Sequence, residues 1–456
     1  MSLELIPSEI IEQFGLNLED VANLQRTSWS IYGLIKERGP RIFSLVTLKK
    51  GMIHWIDRLT NVKLEDLENL SLITKTKVRT LDLSRTELRC ASRLGNIHTL
   101  NLSHTKIKDV SCLGEVHTLN LSNTQVKNVS ALGNVHTLNL SSCMRIEDVS
   151  ALGHVYNLNL SCTNIKDVGA LGNVHTLNLF GTNVEDVSTL GKVHTLNLGR
   201  TRVVDVSSLG QVHTLNLFNT RGVIDVSSLG QVHTLNLSRT QIKDVSHLGK
   251  VHTLNLCNTD VENVSRLGQV HTLNLRDTKV KDVSALGNVH TLDLSRTEVE
   301  DVSALGNVHT LLLCSTPVKD VSALGKIHTL DLSTTGVEDV SALGNVHNHN
   351  LSYTKVKDVS HLGGVHTLDL YATSVKDVSN LGSVNTLDLS WTKVEDVSAL
   401  GRVHFLNISN TRVKDISALD QVREIRFSYI TITGDQVHTL NPSLYQNQGV
   451  TNLRDR

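Results

Sequence analysis

The stretch VHTLNLRDTKVKDVSALGN, residues 270–288, decides the fold, because close variants of it return along most of the chain. Aligned on its first Val or Ile, the phrase begins at 19 places between residues 78 and 422. The spacing is 19 residues except at two steps of 20, which insert a residue near Met144 and near Gly222. Loops tolerate such insertions and strands do not, so each copy is one structural unit with a loop at this point.

Within a copy, numbered 1 to 19 from that Val or Ile, apolar residues occupy positions 1, 4, 6, 11, 14 and 17. Positions 4 and 6 alternate with polar positions 3 and 5, which is the period of a β-strand. No copy can bury six apolar residues alone, so stacking is predicted to place Leu273 beside Leu292 and Val283 beside Val302. Nineteen residues leave little room for an α-helix, and short 3-10 turns are predicted on the return side.

Two polar positions are predicted to have structural tasks. Position 9 is almost always Thr, as at Thr278, and its hydroxyl can bond main-chain groups where the chain leaves the sheet. Position 13 is usually Asp, as at Asp282, and it is predicted to cap the turn that follows.

Written from position 17, the pattern L-x-x-V-x-x-L-x-L-x-x-T-x-V-x-x-V resembles the leucine-rich repeat, with Thr where that family usually has Asn or Cys. The resemblance covers residues 78 to about 426. It implies an α/β repeat fold, a leucine-rich repeat solenoid of about 18–19 short copies. The parallel β-sheet would form the concave face, and loops with 3-10 turns the convex face.

The predicted domains follow from where the repeat begins and ends. Residues 1–50 are predicted to form a small α-helical segment. Residues 51–77 would be a linker helix and a degenerate first repeat, residues 78–421 the solenoid, and residues 422–456 a C-terminal cap.

Composition excludes several classes of function. The net charge is -1 over 456 residues, which is unlike a general nucleic-acid binder. The six cysteines show no CxxC spacing, the first residues lack the features of a signal peptide, and no apolar run is long enough to cross a membrane. With no P-loop, nucleophile elbow or HExxH motif, we expect a cytoplasmic protein that is not an enzyme, without a cofactor.

The first 50 residues do not repeat. Pro7 and Ser8 can open one short helix, Asn17 can cap a second, and a third is predicted from about Thr27. Three short helices form a weak core, which leaves room for a partner to complete it.

The segments LIPSEIIEQF, LNLEDVANL and TSWSIY, within residues 5 to about 37, are similar to the F-box motif. Ile6 stands where that family usually has Leu, and Thr27 or Ser28 replaces its usual Cys. The resemblance implies contact with a Skp-family adaptor and, through it, a cullin–RING ubiquitin ligase. The residues implied in adaptor binding are Leu5, Ile6, Pro7, Ile10, Ile11, Phe14, Leu18, Val21, Leu24 and Trp29.

Two alternatives remain open. In the first, the N-terminal helices only seal a leucine-rich interaction scaffold that has no link to a ubiquitin ligase. In the second, the uniform face of the array binds a periodic ligand, such as a polymer or filament. The near-identical copies also resemble repeat families of large amoeba-infecting DNA viruses, which would make the ligase and the cytoplasm those of a host.

Positions 7 and 8 are where the copies differ most, and exposed aromatic and arginine side chains there are typical of binding sites for protein substrates. Four aromatic residues fall in successive copies and are predicted to be neighbours, although isolated exposure or packing against the cap would explain them too. The predicted partner-binding residues are Tyr353, Tyr371, Trp391, Phe405, Arg276, Asp277, Phe180 and Phe218.

Position 2 is His in fifteen copies. No carboxylate or cysteine stands regularly beside these histidines, so no metal site is predicted. We expect a stacked polar row in which protonation of close neighbours is costly, so that the pKa of its members falls below the usual value of about 6.5.

Overall fold

Each copy forms one short strand, because Leu at positions 4 and 6 can be buried only if the polar residues between them face the other way. The computed structural model describes residues 46–48, 61–64 and 78–430. They belong to two units, Met1–His213 and Thr214–Arg456. No helix among these residues is long and apolar enough to cross a bilayer. All six cysteines are free.

In the described part of the first unit, nearly all strands are three residues long, and they pair in parallel with identical positions opposite each other, as in Thr99 opposite Thr118. Their bounds are β1 Val46–Leu48, β2 Asn61–Leu64, β3 Thr80–Asp82, β4 Thr99–Asn101, β5 Thr118–Asn120, β6 Thr137–Asn139, β7 Asn157–Asn159, β8 Thr176–Asn178 and β9 Thr195–Asn197.

The second unit repeats this arrangement, with the same parallel register from strand to strand. Its strands are β10 Thr214–Asn216, β11 Thr234–Asn236, β12 Thr253–Asn255, β13 Thr272–Asn274, β14 Thr291–Asp293, β15 Thr310–Leu312, β16 Thr329–Asp331, β17 Asn348–Asn350, β18 Thr367–Asp369, β19 Thr386–Asp388, β20 Phe405–Asn407 and β21 Glu424–Arg426.

The return side of many copies carries a three-residue 3-10 helix, as predicted. In the first unit these helices are Ser130–Leu132, Ser150–Leu152, Gly169–Leu171, Leu190–Lys192 and Ser207–Leu209. In the second unit they are Ser227–Leu229, Ser284–Leu286, Ser303–Leu305, Ser322–Leu324, Ser341–Leu343, Leu362–Gly364, Ser398–Leu400 and Ser417–Leu419.

The core consists of stacked columns of identical apolar residues. Leu273 lies opposite Leu292 in neighbouring strands, and both are buried. Val283 and Val302, at position 14 of the same copies, are buried as well. Burying a Leu or Val side chain contributes about 1.5–3 kcal/mol, so the columns stabilise the array only when the copies stack.

The predicted tasks of Thr and Asp are confirmed. The hydroxyl of Thr278 donates to the carbonyl of Leu275 at 2.6 Å, where the chain leaves the strand. The Oδ1 atom of Asp282 accepts from the amide of Ser284 at 2.9 Å, at the start of the following 3-10 helix. Hydrogen bonds from the side chain and the amide of Ser284 lower the pKa of the Asp282 carboxyl.

In the first unit the parallel sheet includes strands before residue 78, and in the second unit it includes a strand after residue 421. Strand β2 pairs with β3, with Asn61 opposite Thr80, and β1 pairs with β2. Strand β21 pairs with β20, with Phe405 opposite Glu424. The helices predicted before residue 78 and the end of the predicted cap lie outside the described residues, so these domain boundaries stay predictions.

Candidate interaction surface

The histidines at position 2 form a stacked row in each unit. In the first unit the ring centroids are 4.4 to 4.9 Å apart along the row, with Tyr156 taking the place of one imidazole. In the second unit, His271 and His290 stack at 4.6 Å and 10°. The Nδ1 atom of His271 lies 3.3 Å from the hydroxyl of Thr272, and this contact fixes the plane of the ring.

The stacking lowers the pKa of His271 and His309, as predicted for members of such a row. The larger cause of the lowered pKa is loss of solvent around the ring, and the second is the charge of the neighbouring imidazoles. The sequence alone predicts only the second of these causes. Among the described residues, no group of three or more His, Cys, Asp or Glu side chains could hold a metal ion.

Positions 7 and 8, the two residues after the second Leu of each copy, form what we call the turn row. At position 8 every copy has a positive φ, between 53° and 69°. This left-handed conformation suits Gly, Asn and Asp, whereas Arg, Tyr and Trp adopt it at a cost of roughly 1–2 kcal/mol. The residues at position 8 are Arg85, His104, Asn123, Ser142, Cys162, Gly181, Arg200, Asn219, Arg239, Asn258, Asp277, Arg296, Ser315, Thr334, Tyr353, Ala372, Trp391, Asn410 and Tyr429.

Hydrogen bonds from the uniform residues hold this turn. The Oδ1 atom of Asn274, at position 5, accepts from the amide of Arg276 at 2.9 Å. The amide of Asp277, at position 8, donates to the carbonyl of Ser295 in the next copy at 3.0 Å. Because these bonds use no side chain from position 8, that side chain is free to vary. A bulky residue there accepts backbone strain, which is more common at functional sites than elsewhere.

The structure brings together part of the predicted aromatic cluster. The rings of Tyr353 and Tyr371 meet edge to face with centroids 5.0 Å apart. Tyr353 is 57% exposed and Trp391, in the turn row two copies further on, is 59% exposed. The side chain of Tyr353 raises the pKa of the Tyr371 hydroxyl.

Phe405 departs from the predicted grouping. It is the first residue of strand β20, not part of the turn row, and the guanidinium of Arg426 lies 4.8 Å from its ring centroid. Among the described residues, no ring contact joins Phe405 to the tyrosine pair. Phe405 occupies position 3 of its copy, on the strand, whereas Tyr353, Tyr371 and Trp391 belong to the turn row.

The other two predicted phenylalanines share one arrangement. The guanidinium of Arg200 lies 5.6 Å from the ring centroid of Phe180, and that of Arg239 lies 5.6 Å from the ring centroid of Phe218. In both pairs a position 7 ring is covered by the position 8 arginine of the next copy. These phenylalanines are half-buried, so they support arginines on the surface.

The predicted pair Arg276 and Asp277 is also in contact. The Nε atom of Arg276 lies 3.5 Å from Oδ2 of Asp277. The pair therefore presents a partly neutralised carboxylate at a turn where neighbouring copies present Arg or Asn.

His349 was not among the predicted residues, although its copy reads VHNHNL where most copies read VHTLNL. It occupies position 4, a column that is otherwise Leu or, in the last copy, Ile, and lies between Leu330 and Leu368 in the parallel sheet. It is 2% exposed, and neither ring nitrogen has a hydrogen-bond partner. Burial lowers its pKa to about 3.

Solved structures with a similar fold identify the class to which this architecture belongs. A chain of the mouse RP105/MD-1 complex matches with a TM-score of 0.58 and 15% identity, over 82% of this chain and 79% of that one. Both units have the leucine-rich repeat solenoid fold. No protein-family model and no curated protein sequence matches the chain.

Two bacterial structures are similar at lower scores. A leucine-rich repeat protein of Leptospira interrogans has a TM-score of 0.47 and 18% identity, covering 83% of this chain and 96% of its own. An internalin of Listeria monocytogenes has a TM-score of 0.40 and 18% identity, covering 75% of this chain and 90% of its own.

Proposed function

We propose that the chain is a non-enzymatic interaction scaffold that captures a protein partner with the turn row of its second unit. The observation that carries this proposal is the exposure of Tyr353 and Trp391 on strained, left-handed backbone beside Tyr371. Aromatic side chains of this kind contribute large contact area with few rotatable bonds, and they are enriched among the residues that dominate binding.

The strand beside these aromatics favours a partner with a basic segment. Asp369 and Asp388 occupy position 5 of neighbouring copies, opposite each other in the sheet. Burial, and then the charge of Asp388, raise the pKa of the Asp369 carboxyl. A lysine or arginine of a bound partner would relieve this repulsion, so the acidic pair supports recognition of a cationic side chain next to the aromatic contacts.

Replacing both Trp391 and Tyr371 by Ala is expected to weaken partner capture at least tenfold, since each removed aromatic contact is expected to contribute about 1–2 kcal/mol. The measurement is quantitative mass spectrometry of proteins that are cross-linked to the full-length chain and to the double variant. Arg85→Ala is the matched control, because it changes a turn-row residue with φ 62° in the first unit. Capture that is equal for the double variant and the wild type would refute the proposed site.

We further propose that the scaffold delivers its partner to a cullin–RING ubiquitin ligase in the cytoplasm. If the protein is viral, the ligase and the cytoplasm are those of a host. Its support is the F-box-like pattern of residues 5 to about 37, which lies outside the described residues. The free state of all six cysteines is consistent with a reducing compartment.

A Skp-family adaptor is expected to co-purify with the full-length chain and not with a Pro7→Ala, Ile10→Asp variant, because the change puts a charge into the predicted apolar contact. Ile224→Asp is the control, since this isoleucine of the repeat array is already exposed. If the unmutated chain fails to bind the adaptor, the ligase proposal is refuted. The interaction scaffold would be unaffected by that result.

A further inference from the structure

A wide polar groove runs beside the turn row of the second unit, with a volume of about 640 Å³. It is lined by residues at positions 8, 9 and 10 of successive copies, from Asn219 to Arg296. Neither the aromatic residues of the proposed capture site nor the histidine row contributes to it.

The charges in this groove are unequal. Four cationic and two anionic side chains line it. Both carboxylates already have partners, because Asp260 pairs with Lys279 at 2.7 Å and Asp277 pairs with Arg276. The paired groups leave the excess positive charge on the arginines.

Three arginines of the groove are uncompensated. In the part of the chain that the structure describes, no carboxylate lies within ion-pairing distance of Arg221, Arg239 or Arg296. The ring of Phe218 lies under the guanidinium of Arg239, and Asn219 accepts from Arg221 at 3.5 Å, so two of the three are held in place without losing their charge. Held arginines that lack an anion are suited to bind one.

The spacing of the arginines limits what can bind. Arg239 and Arg296 occupy position 8 in copies three steps apart, and steps of about 4.8 Å separate them by about 14 Å. An extended peptide rises about 3.3 Å per residue, so two of its side chains about four residues apart would reach both arginines.

We propose that this groove binds an extended acidic peptide segment whose carboxylates, about four residues apart, pair with Arg239 and Arg296. The inference does not rest on the aromatic capture site or on the N-terminal segment. A nucleic acid fits less well, because Asp260 and Asp277 lie between the arginines and would repel a continuous phosphate backbone.

The test uses the full-length chain and fluorescence anisotropy with a short labelled Gly-Ser peptide that carries two glutamates four positions apart. Binding is expected to weaken with added salt, and to weaken about tenfold with the glutamine version of the peptide. Arg239→Gln with Arg296→Gln should raise the Kd about tenfold, as two exposed charge pairs together contribute about 1.4 kcal/mol. Arg85→Gln should leave it unchanged, because Arg85 has the same backbone conformation outside the groove.

Charge reversal provides a gain of binding that a folding defect cannot produce. A chain with Arg239→Glu and Arg296→Glu should bind the peptide in which lysines replace the two glutamates, and the wild type should not. Trp391→Ala should bind the glutamate peptide like the wild type, which separates this site from the capture site. Equal binding of the glutamate and glutamine peptides, or tighter binding of a labelled single-stranded RNA, would overturn the proposal.

Discussion

Replacing His349 by Leu is expected to stabilise the second unit by about 2–4 kcal/mol at neutral pH, which is unusual for a single substitution. The imidazole lies in a column of leucines with both ring nitrogens buried and unpaired. Each unpaired buried donor or acceptor costs about 1–3 kcal/mol, and Leu would remove both while continuing the column. Urea unfolding followed by circular dichroism would measure the change.

The neighbouring His347 offers a matched control. It belongs to the same copy, but it stacks on His328 and His366 at the surface. His347→Leu is therefore expected to change the free energy of unfolding by no more than about 0.5 kcal/mol, as is usual for surface substitutions. A similar gain from both variants would mean that general hydrophobicity, and not the unpaired nitrogens, explains the effect.

The stability gained with His349→Leu should also depend on pH. The pKa of His349 is about 3 in the folded chain, against 6.5 for an ordinary histidine. Between these values the unfolded chain binds a proton that the folded chain does not, so the wild type loses stability as pH falls below 6.5. The difference between wild type and variant should grow by up to about 1.4 kcal/mol per pH unit in this window, and stay constant above it. A constant difference across the window would contradict the buried, neutral imidazole.

Much of the fold could be predicted because the same physical demand recurs in every copy. Leu273 and Leu292 stack, Thr278 closes its turn and Asp282 caps the next, each as its column in the sequence predicts. A single segment of three residues would not identify a strand, but the same segment at the same place in every copy does.

What the sequence did not predict is local to single copies. The left-handed turn at position 8 had a signal in Asn123, Gly181 and Asp277, residue types that favour this conformation, but Arg and Trp in the same column concealed it. His349 interrupts an apolar column, and only the structure shows that its ring stays in the core without a partner. Contacts such as Tyr353 with Tyr371 depend on rotamers that no periodicity specifies.

The glycine at position 18 is not needed for a left-handed backbone such as that of the turn row, because Gly287 has an ordinary φ of -59°. A Cβ atom there would lie 2.5 Å from the carbonyl oxygen of Ala304 in the next copy, closer than any real contact. This glycine is required by the close approach of stacked copies, not by backbone freedom, and it sets how tightly the return side packs.

Gly287→Ala is therefore expected to destabilise the second unit by about 1–3 kcal/mol, because main chain must move to admit one methyl group. Gly336→Ala is the matched control, since its Cβ would make only ordinary contacts, 3.6 Å from the side chain of Lys319 and 3.9 Å from the carbonyl oxygen of Val318. Both substitutions reduce the freedom of the unfolded chain equally, and at Gly336 that alone should stabilise by about 0.4–1 kcal/mol. Opposite shifts in the urea midpoint are the expected result. Equal shifts would show that the stacked copies can separate without cost, and the tight packing inferred from Gly287 would be wrong.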